Sequence, residues 1–201
     1  MTWSTTNRFS SAMQAPEVPF EEERDDLTDR LRRGEASAVG EAYDLHHEAV
    51  RAFAARLVGD RELAEDLVQE VFVALPRALG GFRGDSSLRS FITGVVINHA
   101  RHFVRSAARR RKTLDRFALE PTPSAARPDV AAEHQSFLMA LQRAMDGLPL
   151  DQRVAFVVCE VEGHSAAEAA AIAGAPEATM RTRLFHARKK LQAALEAEGF
   201  R

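Results

Sequence analysis

The chain has 201 residues, enough for one ordinary domain or two small ones. Hydrophobic residues make up 45% and charged residues 28%, a globular composition in which no apolar run is long enough to cross a bilayer. The formal net charge of −2 decides nothing by itself, and the one cysteine, Cys159, excludes an intrachain disulfide and a thiolate metal cluster.

The first residues, MTWSTTNRFSS, lack the apolar core of a secretory signal, so the expected location is the cytoplasm, with no membrane insertion. Residues 1–26 carry little apolar periodicity and read as a flexible acidic extension, with Glu21, Glu22, Glu23, Asp25 and Asp26 clustered at its end. From Leu27 the pattern turns helical. Ala42, Leu45, Val50, Phe53 and Leu57 fall mostly on one helical face, and Gly59 stops the run. Asp60 is placed to cap a second helix built on Leu63, Leu67, Val71, Val73 and Leu75, up to Gly80-Gly81. After the loop Phe82–Ser87, Asp85 or Ser86 can cap a third helix from about Leu88 to Lys112, apolar at its start and basic at its end.

Pro121, Pro123 and Pro128 then interrupt any helix, and 114–129 reads as a mobile linker. Beyond it lie four more helical segments. Residues 130–146 end at Gly147; Pro149 opens a segment that runs to Glu162. Ser165 and Glu168 fit a capping box that starts a short alanine-rich helix ending at Gly174, and Pro176 opens a long basic helix to about Glu196. No strand pattern is visible. The expected fold is all-α: two small helical domains, 27–113 and 130–201, joined by a flexible linker.

The charges collect in two basic tracts. One holds Arg101, Arg105, Arg109, Arg110, Arg111, Lys112 and Arg116; the other holds Arg181, Arg183, Arg188, Lys189 and Lys190. On charge alone, solvated helix faces and a DNA ligand account for them equally well. The order of elements adds more. Residues 165–191 read as a helix-turn-helix whose second helix carries Arg181, Thr182, Phe185, His186 and Lys189 on adjoining turns. In that motif the start of the second helix enters the major groove, where arginine pairs with guanine and a Thr methyl or Phe meets the thymine methyl.

The motifs of both domains resemble the extracytoplasmic-function (ECF) sigma factors of the sigma-70 family. Leu148-Pro149-Leu150-Asp151-Gln152-Arg153 is similar to the L-P-x-x-x-R opening of sigma region 4. Glu162-Gly163-His164-Ser165 through Ala170 is similar to its E-G-x-S-x-x-E-I-A signature, and Thr179 through Leu191 to T-V-K-S-R-L-x-R-A-R-x-x-L. Ala64-Glu65-Asp66-Leu67-Val68-Gln69-Glu70-Val71-Phe72 resembles the A-E-D-L-x-Q-E-x-F element of region 2, and Phe91 through Asn98 stands in the place of W-L-x-x-I-A-x-N. His186 replaces an arginine, Ala169 an isoleucine, Pro76 and Phe91 stand where tryptophans are common, and His102 where an acid or amide is.

The resemblance spans about residues 35–195 and implies a role. Asp66, Gln69, Glu70 and Phe72 would bind core RNA polymerase, through its beta and beta' subunits. Phe82, Asn98, Arg101, His102 and Arg105 would face the −10 element, with the loop 82–87 receiving a flipped base. Arg153, Arg181, Thr182, Arg183, Phe185, His186, Arg188 and Lys189 would face the −35 element. Implied partners are core polymerase, promoter DNA and an anti-sigma factor. No cofactor, no metal and no catalysis are implied.

Two other classes compete with this reading. A conventional helix-turn-helix regulator accounts for 165–195 and leaves the region 2 motif without a role. A helical metal-dependent hydrolase would have to use His46 and His47, which point about 100° apart on a helix and cannot share a metal as an i, i+4 pair does. The sequence also holds no H-x-x-x-H motif, Gly-rich phosphate loop or nucleophile motif.

Overall fold

The structure is a computed structural model that describes residues 23–82, 84, 86–114 and 130–200, with side chains over 27–82, 84, 86–103 and 135–200. Its regular elements are helices α1 (Glu23–Arg32), α2 (Ala36–Val58), α3 (Arg61–Ala78), α4 (Leu88–Leu114), α5 (Val130–Asp146), α6 (Leu150–Phe156), α7 (Ala166–Ala173) and α8 (Glu177–Ala197). No strand occurs among the described residues, and none of their helices is long and apolar enough to cross a membrane.

Local chemistry sets the boundaries. Gly34 takes φ +75° and separates α1 from α2, a break that the periodicity from Leu27 does not announce. Gly59, also at φ +75°, ends α2 by donating its N–H to the Ala55 carbonyl. The Asp60 carboxylate accepts from the Glu62 and Leu63 backbone N–H groups and starts α3, as expected. At α4 the cap is Ser87, whose hydroxyl accepts from the Ser90 N–H at 3.1 Å, rather than the expected Asp85 or Ser86. Asp85 lies outside the described residues. So do residues 1–22 of the expected extension and the linker beyond Leu114; Glu23–Asp26, assigned to the extension, begin α1.

In the first domain α2 and α3 pack as a helical hairpin, α4 lies across both, and α1 covers α2. Leu31, Leu57, Leu67, Leu75, Leu79, Ile92 and Ile97 are wholly buried. Each contributes about 1.5–3 kcal/mol on area bookkeeping, so the apolar stripes rather than helix propensity hold this bundle. Two apolar residues assigned to the core face are instead exposed: Leu45 on α2 and Val73, 81% exposed, on α3. In the second domain α8 is the spine, contacted by α5, α6 and α7. The helix begun by α6 widens into a π-turn over Val157–Val161, where the Glu162 N–H reaches the Val157 carbonyl at 2.9 Å. The capping box is formed in both directions: the Ser165 hydroxyl accepts from the Glu168 N–H, and the Glu168 carboxylate accepts from the Ser165 N–H.

The two domains pack against each other, and a single cluster of buried apolar residues runs from Leu27 to Leu195. Helix α4 meets α7 and α6, and α2 meets α5 and α6. At the closest point Gly94 faces the Ile172 backbone carbonyl, where a Cβ would stand 2.8 Å from its oxygen. Only glycine permits this approach.

Candidate functional site

The first surface lies on α3. Asp66, Gln69 and Glu70 are exposed, while Leu67, Val71 and Phe72 of the same segment are buried. Spacings of three and four bring residues 66, 69, 70 and 73 onto one helix side, so the exposed Val73 joins the polar three. The i+7 step from Asp66 would have placed Val73 there. Phe72, named with the polymerase-binding element but turned toward the core by the same spacing, is buried and packs edge-on against Tyr43 at 5.0 Å, so it supports the surface from beneath. Glu70 also lies 3.6 Å from His99 Nδ1 of α4, which ties this face to the next.

The second surface is on α4. Asn98 and His102 are exposed, and Arg101 donates to Asn98 Oδ1 at 3.1 Å. Phe82 is half-buried, packs on Phe91 at 4.8 Å, and carries the Arg32 guanidinium over its ring. Arg105 continues the helix, but its side chain lies outside the described residues.

The third surface is on α8. Met180, Ala187, Leu191 and Leu195 are buried and fix the helix against its neighbours. That rotation leaves Arg181, Thr182, Phe185, His186, Arg188 and Lys189 exposed. Phe185 is 62% exposed, an unusual display for a phenylalanine, and its ring meets His186 edge-on. Arg181 pairs with Glu177 one turn back, and Arg188 pairs with Glu160 of the π-turn. The Thr182 hydroxyl donates to the Ala178 carbonyl, which leaves its methyl for an apolar contact.

Arg153 and Arg183, both expected to face the −35 element, are engaged by the protein itself. Arg153 is 8% exposed, and its guanidinium donates to the carbonyls of Leu57, Asp146 and Leu148. Burial pulls it below the ordinary arginine range, with Asp146 opposing. Arg183 is half-buried and donates to Asp151 Oδ2 at 2.8 Å. The other oxygen of Asp151 accepts from Arg101 at 3.2 Å. A second acid, Glu162, accepts from Arg56 at 3.2 Å and from Arg89 at 2.8 Å. Sequence reasoning missed both acids as inter-domain partners, because Arg101, Arg56 and Arg89 reach them across the linker and no periodicity reports such pairs.

The remaining reactive groups carry little chemistry. Cys159 is half-buried and burial raises its pKa, so it stays a thiol. His47 stacks on Tyr43, and among the described residues no three His, Cys, Asp or Glu side chains could hold a metal.

Comparison with known proteins follows the same division of the chain. Family models for Sigma-70 region 2 and Sigma-70, region 4 match residues 42–110 and 138–191. The RNA polymerase sigma-H factor of Pseudomonas aeruginosa is 28% identical over 184 residues, covering 88% of this chain and 95% of its own. The ECF RNA polymerase sigma-E factor of Escherichia coli K12 is 28% identical over 173 residues, covering 82% and 90%. Among solved structures, the sigma factor RpoE in complex with the anti-sigma factor NepR from Bartonella quintana is 28% identical, with TM-score 0.60 over 78% of this chain and 96% of that one. CnrH in complex with the cytosolic domain of CnrY shares the fold, at TM-score 0.61 and 24% identity, over 88% and 99%.

Proposed function

The chain belongs to the sigma-70 family, in its extracytoplasmic-function branch, and from that premise we infer that it binds core RNA polymerase and directs promoter recognition and DNA melting. The observation that carries this reading is the ordered pair of matched regions, one bearing the exposed Asp66–Gln69–Glu70 surface and the other a basic recognition helix. A conventional helix-turn-helix regulator would use only the second.

The division of labour is as follows. The domains run over 27–113 and 130–201. The α3 stripe of Asp66, Gln69, Glu70 and Val73 docks on core polymerase, with Phe72 holding its shape. Asn98, Arg101, His102 and Arg105 on α4, with Phe82 beside them, face the −10 element. On α8, Arg181, Thr182 and Phe185 meet base edges, while His186, Arg188 and Lys189 meet phosphates. Base contacts specify and phosphate contacts position. Arg183 joins the phosphate contacts once it leaves Asp151, and Arg153 serves the −35 surface by fixing the α5–α6 turn that supports α8. The work is recognition rather than catalysis, in the cytoplasm with the polymerase. The sigma factor from Bartonella quintana is bound to an anti-sigma factor, which supports a partner of that class here.

The experiment is to add the chain to core polymerase and to follow initiation on promoter templates. Gain of promoter-specific initiation is expected. Specific binding of promoter duplex by the chain alone, with no effect on polymerase, would favour the conventional regulator.

A further inference from the structure

Arg32, the last residue of α1, reaches the loop that follows α3. Leu27 and Leu31 are buried and seat α1 on the bundle, and α1 lies against the turn Leu79–Gly81 that leads into this loop. Arg30 pairs with Glu35 and Glu41 near the start of α2, whereas Arg32 turns to Phe82. Its guanidinium makes three contacts at once. Nη2 donates to the Phe82 carbonyl at 2.9 Å, the central carbon stands 5.2 Å from the middle of the Phe82 ring, and Nη1 is held by Asp29 at 3.0 Å. The Phe82 N–H donates to the Leu79 carbonyl at 3.0 Å, and its ring packs on Phe91. Phe82 is thus fixed through its N–H, its carbonyl and its ring. Gly84, at φ +84°, lies beside the same guanidinium, where a Cβ would stand 3.8 Å from Nη2. At the far end of the loop the Ser87 hydroxyl caps α4.

We propose that Arg32 is a positioning residue for promoter melting, which sets the entry of the loop 82–87 in the shape that receives a flipped −10 base. The inference rests on the reading of that loop as the one that captures the base. Arg32 lies ahead of the residues matched to Sigma-70 region 2, 42–110, and acts on DNA only through Phe82 and the loop. A loop ordered before the base arrives does not lose that freedom on binding, so fixing its entry strengthens capture without a new DNA contact. The guanidinium suits the task because its plane covers a ring while its edge donates to a carbonyl and a carboxylate; an ammonium cannot do all three. Asp29 offsets the charge, which favours a hold on the loop over attraction of a phosphate.

The test uses holoenzyme formed with the parent, Arg32→Ala or Arg32→Lys. Two probes come from a promoter at which the parent initiates: a duplex with the −35 element alone, and a fork template whose non-template −10 strand is unpaired. Assembly with core polymerase and the affinity for each probe are measured at several salt concentrations. Arg32→Ala should assemble and bind the −35 duplex as the parent does. If the freed loop keeps its receptive shape about one-fifth of the time, fork affinity should fall about five-fold. The salt slope should not change, because no phosphate contact is lost. Arg32→Lys should fall short of the parent on the fork. Unchanged fork affinity in Arg32→Ala, or full recovery in Arg32→Lys, would overturn the proposal. A loss on the fork with a salt slope lower by about one would make Arg32 a phosphate contact and overturn it as well. Equal losses of assembly, −35 binding and fork binding would reduce Arg32 to a general structural role, again against the proposal. Failure of the reading beneath it shows separately: the parent holoenzyme would then bind the fork no better than the fully paired duplex of the same sequence.

Discussion

The Arg153 guanidinium donates to the Leu57 carbonyl at 2.7 Å, so a residue of the second domain satisfies a carbonyl in the last turn of α2 in the first. Helix ends leave such carbonyls without an intrahelical partner, and the negative end of the helix favours a cation there. The same side chain holds the Asp146 and Leu148 carbonyls between α5 and α6. Arg153→Lys should therefore fail to substitute, since an ammonium lacks the planar fork. Either Arg153→Lys or Arg153→Ala should lower stability by about 1–3 kcal/mol, read as a fall in the urea midpoint. A midpoint unchanged in both variants would show that these carbonyls are served without Arg153.

Val73 gives a test of the α3 stripe that the buried residues cannot. It is exposed, so Val73→Asp should leave the urea midpoint within about 0.5 kcal/mol of the parent. If the stripe docks on polymerase, the same substitution should weaken co-purification with core enzyme. Phe72→Ala, by contrast, should cost about 3–5 kcal/mol in folding, because Phe72 fills the bundle. Equal effects of the two on stability would contradict the assigned exposure.

On α8 the cations should separate by role. Arg181→Ala should cost about 1–3 kcal/mol on the preferred −35 sequence and relax preference at one or two positions. Arg188→Ala or Lys189→Ala should weaken all promoters alike and reduce the salt slope by about one. The measurement is transcription by holoenzyme on a panel of −35 variants at several salt concentrations. If Arg181→Ala lowers every promoter equally and preserves the base preference, Arg181 positions the helix rather than reading sequence.

The capping box predicts a pH dependence. Hydrogen bonding with Ser165, through its side chain first and its backbone second, holds the Glu168 carboxyl below the usual range. Its pKa is then lower in the folded chain than in the unfolded one. The stabilisation is full above the ordinary carboxylate value of about 4.3 and is lost as pH falls through the lowered folded value. The stability gap between the parent and Glu168→Ala should thus be widest near neutrality and close in acid. Ser165→Ala should cost about 1 kcal/mol by loss of the cap. A gap that widens on acidification would contradict the assigned direction.

The elements that the sequence disclosed are those set by local chemistry. Gly59, Asp60, Ser165, Glu168 and Gly174 each act on residues a few positions away, and each stands where its chemistry places it. The sides of α3 and α8 were legible from spacing for the same reason. Leu45 and Val73 were misplaced because an apolar side chain states only that burial is favourable, and the packing partner decides which face is covered. Gly34 was passed over because one glycine within a periodic run does not reveal its φ. Arg153, Asp151 and Glu162 were beyond reach: each takes at least one partner from the first domain, across the linker, and no pattern within either domain encodes such a contact.

The most direct measurement is run-off transcription by core polymerase supplied with the parent chain or with Asp66→Lys, Glu70→Lys. Both acids are exposed, so the double reversal should fold normally and keep the α8 surface intact. With the parent, core polymerase should initiate at defined promoters. With the double variant, both holoenzyme assembly and promoter-specific transcripts should fall together. Full assembly and unchanged transcription with the double variant would contradict the assignment of this surface. Failure of the parent itself to give core polymerase any promoter preference would contradict the account as a whole.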